Sequence, residues 1–299
     1  MNSFNWKSKG EFRSIKNHQL FVIDSHQVIS SQPGGQKGEI EKPLPVMVIL
    51  HGYPTSSYDY YKVLPELSKY YRVIIHDHLG FGFSDKPLEY SYSLLEQADM
   101  ALQLWKELDL KEVTLLAHDY GTSIATEILA RDNANQLDVE IKELILCNGS
   151  MHIELSQLRT IQKLLKNKWL GKYVAKLTNY PIFSKNLRNV YFDTSKVTNT
   201  ELKDMWSLIE YKQGKKVIHK VSQYINERYT YWDRWIGALK ETPIPTKIVW
   251  AKNDPVAVAA IAELLATEIP NNKLYWIENT GHFPMLENPE EWTKYILTF

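Results

Sequence analysis

Short apolar runs alternate with amphipathic stretches along most of this chain. Val46-Met47-Val48-Ile49-Leu50 is apolar at consecutive positions, the mark of a strand buried on both faces. Val113-Thr114-Leu115-Leu116-Ala117 and Leu144-Ile145-Leu146-Cys147 read as further buried strands, and Arg72-Val73-Ile74-Ile75, Thr246-Lys247-Ile248-Val249-Trp250 and Lys273-Leu274-Tyr275-Trp276-Ile277 as strands. Between them lie stretches with helical spacing: Asp59 to Tyr70, Ser93 to Leu108, Thr122 to Leu129, Ala257 to Glu268 and Glu290 to Thr298. Glu11 to His26 reads as an early strand pair, and Ser30 to Lys42 as a loop rich in Gly, Ser and Gln. Strands alternating with helices predict an α/β fold with a doubly wound, mostly parallel sheet.

From Met151 to Leu239 the strand signal disappears. The stretch is rich in Lys, Leu, Tyr and Trp and reads as a mostly helical insertion, closed by Pro243 and Pro245. The expected organisation is a core of residues 1–150 and 241–299, with a helical cap of residues 151–240 inserted after the sixth strand. Ligands of such sheets bind beyond the carboxyl ends of the strands, and the insertion follows one of those ends.

Composition narrows the function classes. Lys+Arg and Asp+Glu are both 35, so net charge points to neither nucleic acid nor acidic lipid. The longest apolar runs are far too short for a bilayer span, and the first residues lack the apolar stretch of a signal peptide. Cys147 is the single cysteine, which excludes an internal disulfide and fits a reducing compartment. The expectation is a cytoplasmic protein, monomer or homodimer, with no cofactor.

Chemistry gathers just past four strands. Ala117-His118-Asp119-Tyr120-Gly121 joins a strand to a helix through small flanking residues, the layout of a nucleophile elbow with aspartate in the place of serine. A carboxylate there can attack carbon and form an ester; it could equally cap the helix. Asp254 precedes Pro255 and could merely start a turn. His282, in Gly281-His282-Phe283-Pro284, could be an ordinary loop histidine. Taken jointly, the order nucleophile, acid, histidine at successive strand ends is the order of a hydrolytic triad, with Asp254 fixing the tautomer of His282. His51-Gly52-Tyr53-Pro54 follows the Leu50 strand, and Asn148 the Leu146 strand. His76-Asp77-His78 has no further Cys/His cluster to make a metal site, and no Gly-x-Ser-x-Gly occurs, against a serine esterase.

These motifs resemble the α/β-hydrolases of the epoxide hydrolase and haloalkane dehalogenase branch. The resemblance runs through His51 to Ser57, Asp77 to Pro87, His118 to Gly121 and Gly281 to Pro284. Within the branch the chain is similar to the mesoderm-specific transcript protein-like hydrolases, through Tyr58 to Lys62, Asp204-Met205-Trp206, Gln223 to Asn226 and Arg234 to Leu239. The resemblance implies a small apolar electrophilic substrate and a covalent route. Asp119 attacks, His282 with Asp254 activates water, and the backbone N–H groups of Tyr53 and Tyr120 hold the oxyanion. His51 and Pro54 would line the pocket, and Asn148, where the insertion begins, would line it or position a second acid-like group unless it is only a polar turn. An epoxide needs cap tyrosines as proton donors, and Tyr224 and Tyr229 lie in the corresponding segment; Tyr180, Tyr191, Tyr211 and Tyr231 are others. A halide needs N–H donors. The usual Trp after the nucleophile is Tyr120 here, leaving Trp206, Trp232 or Trp235 as substitutes. Epoxide hydrolysis is the first expectation and dehalogenation the second. A non-catalytic binding or signalling member of the fold is an alternative of another class, and hydrolysis at an acyl carbon ranks last.

Overall fold

The structure, a computed structural model, describes residues 1–26 and 43–298. The expected loop Ser30–Lys42 lies outside the described residues. Eight strands form one sheet: β1 (Glu11–Ile15), β2 (His18–Asp24), β3 (Val46–Leu50), β4 (Arg72–His76), β5 (Glu112–His118), β6 (Glu140–Cys147), β7 (Thr246–Ala251) and β8 (Asn272–Ile277). Their order across the sheet is β1-β2-β4-β3-β5-β6-β7-β8. β1 and β2 pair antiparallel, β2 pairs antiparallel with β4, and every other pairing is parallel. The carboxyl ends of β3 to β8 therefore share one edge.

The helices are α1 (Ser3–Lys7), α2 (Leu64–Leu67), α3 (Leu94–Glu107), α4 (Tyr120–Asn133), α5 (Thr160–Leu165), α6 (Gly171–Leu177), α7 (Tyr180–Arg188), α8 (Asn199–Glu210), α9 (Ile218–Val221), α10 (Tyr224–Thr230), α11 (Trp232–Glu241), α12 (Ala259–Glu268), α13 (Pro284–Glu287) and α14 (Pro289–Ile296). The core confirms that the central strands are buried on both faces. Val48 and Leu50 join one apolar cluster with α3, α4, α11 and α12. Met47 and Ile49 join the opposite cluster with α1 and α14. That two-residue alternation is the pleat of the strand.

One expected helix is corrected. Asp59–Tyr70 is a 3-10 turn at Ser57–Tyr60 followed by the single turn α2. Ser56 caps the first piece, and Thr55 donates its hydroxyl hydrogen bond to the Asp59 carboxyl. Pro65 then lacks the N–H that a continuous helix would need and restarts the chain at the head of α2.

Between β6 and β7 the chain contains helices α5 to α11 and 3-10 turns but no strand. Its last helix docks on the helix behind Asp119. Glu127 of α4, almost fully buried, accepts from Arg234 (2.8 Å) and from the indole N–H of Trp235 (2.9 Å).

Candidate active site

Asp119 ends β5 and begins α4 with φ 44° and ψ −106°, a backbone state that L residues rarely hold. The turn requires Gly121, because a Cβ there would meet the Leu50 carbonyl oxygen at 2.1 Å. Gly52 is constrained less severely, since a Cβ there would come 2.8 Å from His118 Nδ1 and 3.1 Å from the Asp119 Cβ. Small residues on both sides thus let the β3 loop and the β5 turn press together, and the Tyr53 N–H donates to Asp119 Oδ2 at 2.9 Å.

His282 follows β8 and brings Nε2 to 3.8 Å from Asp119 Oδ2, an ion-pair contact longer than a hydrogen bond. Its Nδ1 sits 2.7 Å from Asp254 Oδ2. Asp254 is held in turn by the N–H groups of Val256 (2.7 Å) and Ala257 (3.1 Å) at its other oxygen. The three side chains expected from the sequence therefore converge from three strand ends.

Asn148 is corrected from a pocket residue to a positioning residue. Its amide donates to Asp254 Oδ2 (2.8 Å) and accepts from the Ala251 N–H (2.9 Å), behind the cavity. His51 also sits behind it. It is fully buried and accepts the His78 N–H at 3.0 Å, and burial lowers its pKa to about 4. His76 and His78 are pressed down in the same way, to about 3 for His76. These rings form a neutral cluster, and among the described residues no group of three His, Cys, Asp or Glu could hold a metal ion.

Arg228 was not among the expected site residues. It projects from α10, one helical turn after Tyr224, and is almost fully buried against the elbow. Its guanidinium donates to the Asp119 carbonyl (2.9 Å) and to Ser123 Oγ (2.7 Å), and lies 3.7 Å from Asp119 Oδ1. It also covers the Tyr224 ring at 4.7 Å. The only available hint is the i, i+4 spacing of Tyr224 and Arg228, which puts both on one helix face.

Tyr224 is fully buried and packs against the rings of Tyr53 (5.4 Å) and Tyr120 (5.0 Å). Its hydroxyl has no hydrogen-bond partner among the described residues. Burial, then the charge of Asp119, raise its pKa well above the ordinary tyrosine value, so the proton stays on. Tyr229, expected beside it, is corrected: it is 51% exposed, with Lys166 over its ring at 5.2 Å. Five residues along a seven-residue helix turn it to the opposite side. Tyr191 stacks on Phe283 as a packing residue. The indole N–H of Trp232 donates to Glu154 (2.8 Å) and that of Trp235 to Glu127 (2.9 Å), so neither serves as a halide donor.

The charges interlock. Burial works against ionisation of Asp119, but His282, Arg228 and His118 outweigh it and hold the carboxyl well below the usual carboxylate range. Burial also works against His282⁺, yet Asp254 and Asp119 raise the pKa to about 10. The resting site at neutral pH therefore pairs a carboxylate at Asp119 with an imidazolium at His282. An apolar cavity of ≈ 90 Å³ opens above, bordered by Tyr53, Pro54, His282 and Phe283 below and by Leu165, Ile182, Phe183 and Leu187 above. Asp119 lies beneath its floor, 2% exposed.

Comparison with known proteins places the fold. The alpha/beta hydrolase fold family matches residues 45–289. The chain is 36% identical to the mesoderm-specific transcript protein of Mus musculus over 291 residues, 95% of this chain and 83% of that protein. It is similar in structure to haloalkane dehalogenase DbeA from Bradyrhizobium elkani USDA94, with TM-score 0.77, 18% identity and coverage of 96% and 95% of the two chains. Epoxide hydrolase CorEH is similar too, with TM-score 0.73, 16% identity and coverage of 96% of each chain. No helix of the described residues is long and apolar enough to cross a membrane.

Proposed function

The chain belongs to the alpha/beta hydrolase fold family and is a hydrolase, and from that premise we propose that it opens epoxides to diols through an ester on Asp119. An Asp119 carboxylate oxygen attacks an epoxide carbon. The ring C–O bond breaks, and its electron pair goes to the oxygen, which takes the Tyr224 hydroxyl proton. The Asp119 negative charge is then gone. Two of the influences that raise His282 vanish with it while burial persists, so His282 gives up its proton, and that proton restores Tyr224. Neutral His282, held by Asp254, next takes a proton from water. The hydroxide attacks the ester carbonyl carbon, and the Tyr53 and Tyr120 N–H groups hold the oxyanion. Collapse breaks the ester C–O bond; the leaving alkoxide takes a proton from His282⁺ and the new Asp119 carboxyl returns one to His282, which releases the diol and restores Asp119 carboxylate and His282⁺.

The observation that carries this reading over dehalogenation is the pairing of donors. The buried Tyr224 hydroxyl makes no close hydrogen bond among the described residues beyond a weak approach of Gln162, whereas the indole N–H groups of Trp232 and Trp235 are taken and Trp206 packs on Phe183. The 3.8 Å contact of His282 with Asp119 supports turnover over passive binding.

The test is the intact mass of the His282→Gln variant after exposure to a panel of epoxides and haloalkanes. Without its base the ester persists. A gain of one whole epoxide is the expected result. A gain of a haloalkane less HX establishes dehalogenation instead. No adduct on any panel member, with the wild type also inert, returns the weight to a binding role.

A further inference from the structure

In a chain with as many acidic as basic residues, one segment breaks the balance. From Leu155 to Phe192 there are six lysines, two arginines and no Asp or Glu. The same segment carries large apolar side chains held out into solvent: Trp169 is 85% exposed, Leu177 74%, Tyr173 67% and Leu170 52%. Soluble surfaces rarely gather such groups. Their spacing is orderly. Trp169, Tyr173 and Leu177 recur every four residues, and the Gly171 N–H donates to the Asn167 carbonyl at 2.8 Å, so the helical path begins before α6. The three share one face, Lys172 and Lys176 share the adjoining one, and Gly171 and Ala175 face inward.

Two further features converge on this face. A groove of ≈ 660 Å³ runs beside it, where Tyr173 meets Lys172, Lys176, Lys215, Lys216 and Lys220, with Glu89 as the single carboxylate in its lining. The apolar cavity above His282 is lined in part by the same segment. Ile182, 40% exposed, lines that cavity, as do Leu165 and Thr178 at the two ends of the stretch.

We propose that this face docks on an anionic phospholipid surface. Trp169, Leu170, Tyr173 and Leu177 enter the headgroup boundary, the lysines meet lipid phosphates, and the cavity mouth opens onto the bilayer to take a lipophilic substrate. Exposed Trp and Tyr amid lysines is the composition that headgroup depth favours. Single-stranded RNA would also meet the lysines, but the aliphatic Leu170 and Leu177 at the crest suit acyl chains and give a phosphate backbone nothing to bond. The inference does not depend on which reaction Asp119 performs.

Cosedimentation with vesicles tests it. The intact protein should bind phosphatidylglycerol–phosphatidylcholine vesicles at low salt and pure phosphatidylcholine vesicles far more weakly. The Lys172→Glu/Lys176→Glu pair should weaken binding at least about tenfold, since each cation near an anionic leaflet matters. Lys172→Arg/Lys176→Arg should keep it. Lipids brominated near the headgroup should quench wild-type tryptophan fluorescence more than that of Trp169→Phe, in proteins whose melting temperatures agree. No binding to anionic vesicles, or binding indifferent to the charge reversal, overturns the proposal. So does binding to polyuridylate without binding to vesicles, or a self-associated dimer that Leu177→Asp disperses.

Discussion

Arg228 lies 3.7 Å from a carboxylate oxygen of Asp119, both nearly free of solvent. At an effective dielectric of about 20 that separation gives roughly 4 kcal/mol of gross attraction. His282 already faces the same carboxylate from 3.8 Å, and desolvation of the guanidinium opposes the gain. The net coupling between Arg228 and Asp119 is therefore expected at about 2 kcal/mol. Arg228→Met also takes a donor from the buried Ser123 hydroxyl and one from the Asp119 carbonyl, which keeps its hydrogen bonds from Thr122. The single substitution should cost about 3–5 kcal/mol, or roughly 6–10 °C of melting temperature for a chain of this size. Asp119→Asn keeps the shape and removes the charge. In that background Arg228→Met should cost about 2 kcal/mol less. Thermal melts of the four proteins by circular dichroism measure the cycle. A coupling within about 0.5 kcal/mol of zero would refute the electrostatic argument and leave Arg228 as a mechanical clamp.

Three further outcomes follow from the same geometry. Tyr224→Phe should slow epoxide opening by roughly 10²–10⁴-fold while Tyr229→Phe leaves it unchanged, read as single-turnover rates; equal rates in all three proteins remove Tyr224 from the chemistry. The pKa of His282 is raised from 6.5 to about 10, so its contribution to stability is complete below pH 6.5 and fades as pH rises to 10. The melting-temperature gap between wild type and His282→Gln should thus shrink from pH 6 to pH 10, and a constant gap would contradict the ion pair. Gly121→Ala should destabilise by more than about 3 kcal/mol because its Cβ strikes the Leu50 carbonyl, whereas Gly237→Ala, with nothing within 4 Å inside α11, should add about 0.5–1 kcal/mol. Urea titration separates the two, and similar midpoints would discredit the close-packing account of the elbow.

The core was legible because its signals are local. Met47–Leu50 is apolar residue by residue, and the strand needs no other information to declare both faces buried. Asp119, Asp254 and His282 were legible because each lies within a few residues of a strand end, and parallel strands deliver their ends to one edge. Asp59–Tyr70 misled because its spacing is helical while Pro65 and the engaged Asp59 carboxyl forbid a continuous helix. Arg228 was not legible as a site residue, and Asn148 was legible as one but not in its role. Their meaning depends on where α10 and the end of β6 settle against the elbow, and no spacing along the chain encodes that distance. Tyr224 and Tyr229 show the same limit at finer scale. Both are tyrosines on one short helix, and only its rotation against Tyr53 and Tyr120 separates the buried hydroxyl from the surface ring.

That placement of Arg228 gives the proposed two-step chemistry a direction. In the resting site one carboxylate is flanked by two cations, His282⁺ and Arg228, and a second carboxylate, Asp254, holds His282 from behind. Alkylation erases the charge between the cations. Arg228 cannot shed a proton near neutral pH, so the excess positive charge must leave through His282. The group that needs to become a base is thereby the one that deprotonates, and only after the ester has formed. Hydrolysis restores the carboxylate and with it the attraction to both cations, which favours breakdown of the ester over its accumulation. A carboxylate held by His282 alone would relax in the same direction with less force, and the buried arginine supplies the difference.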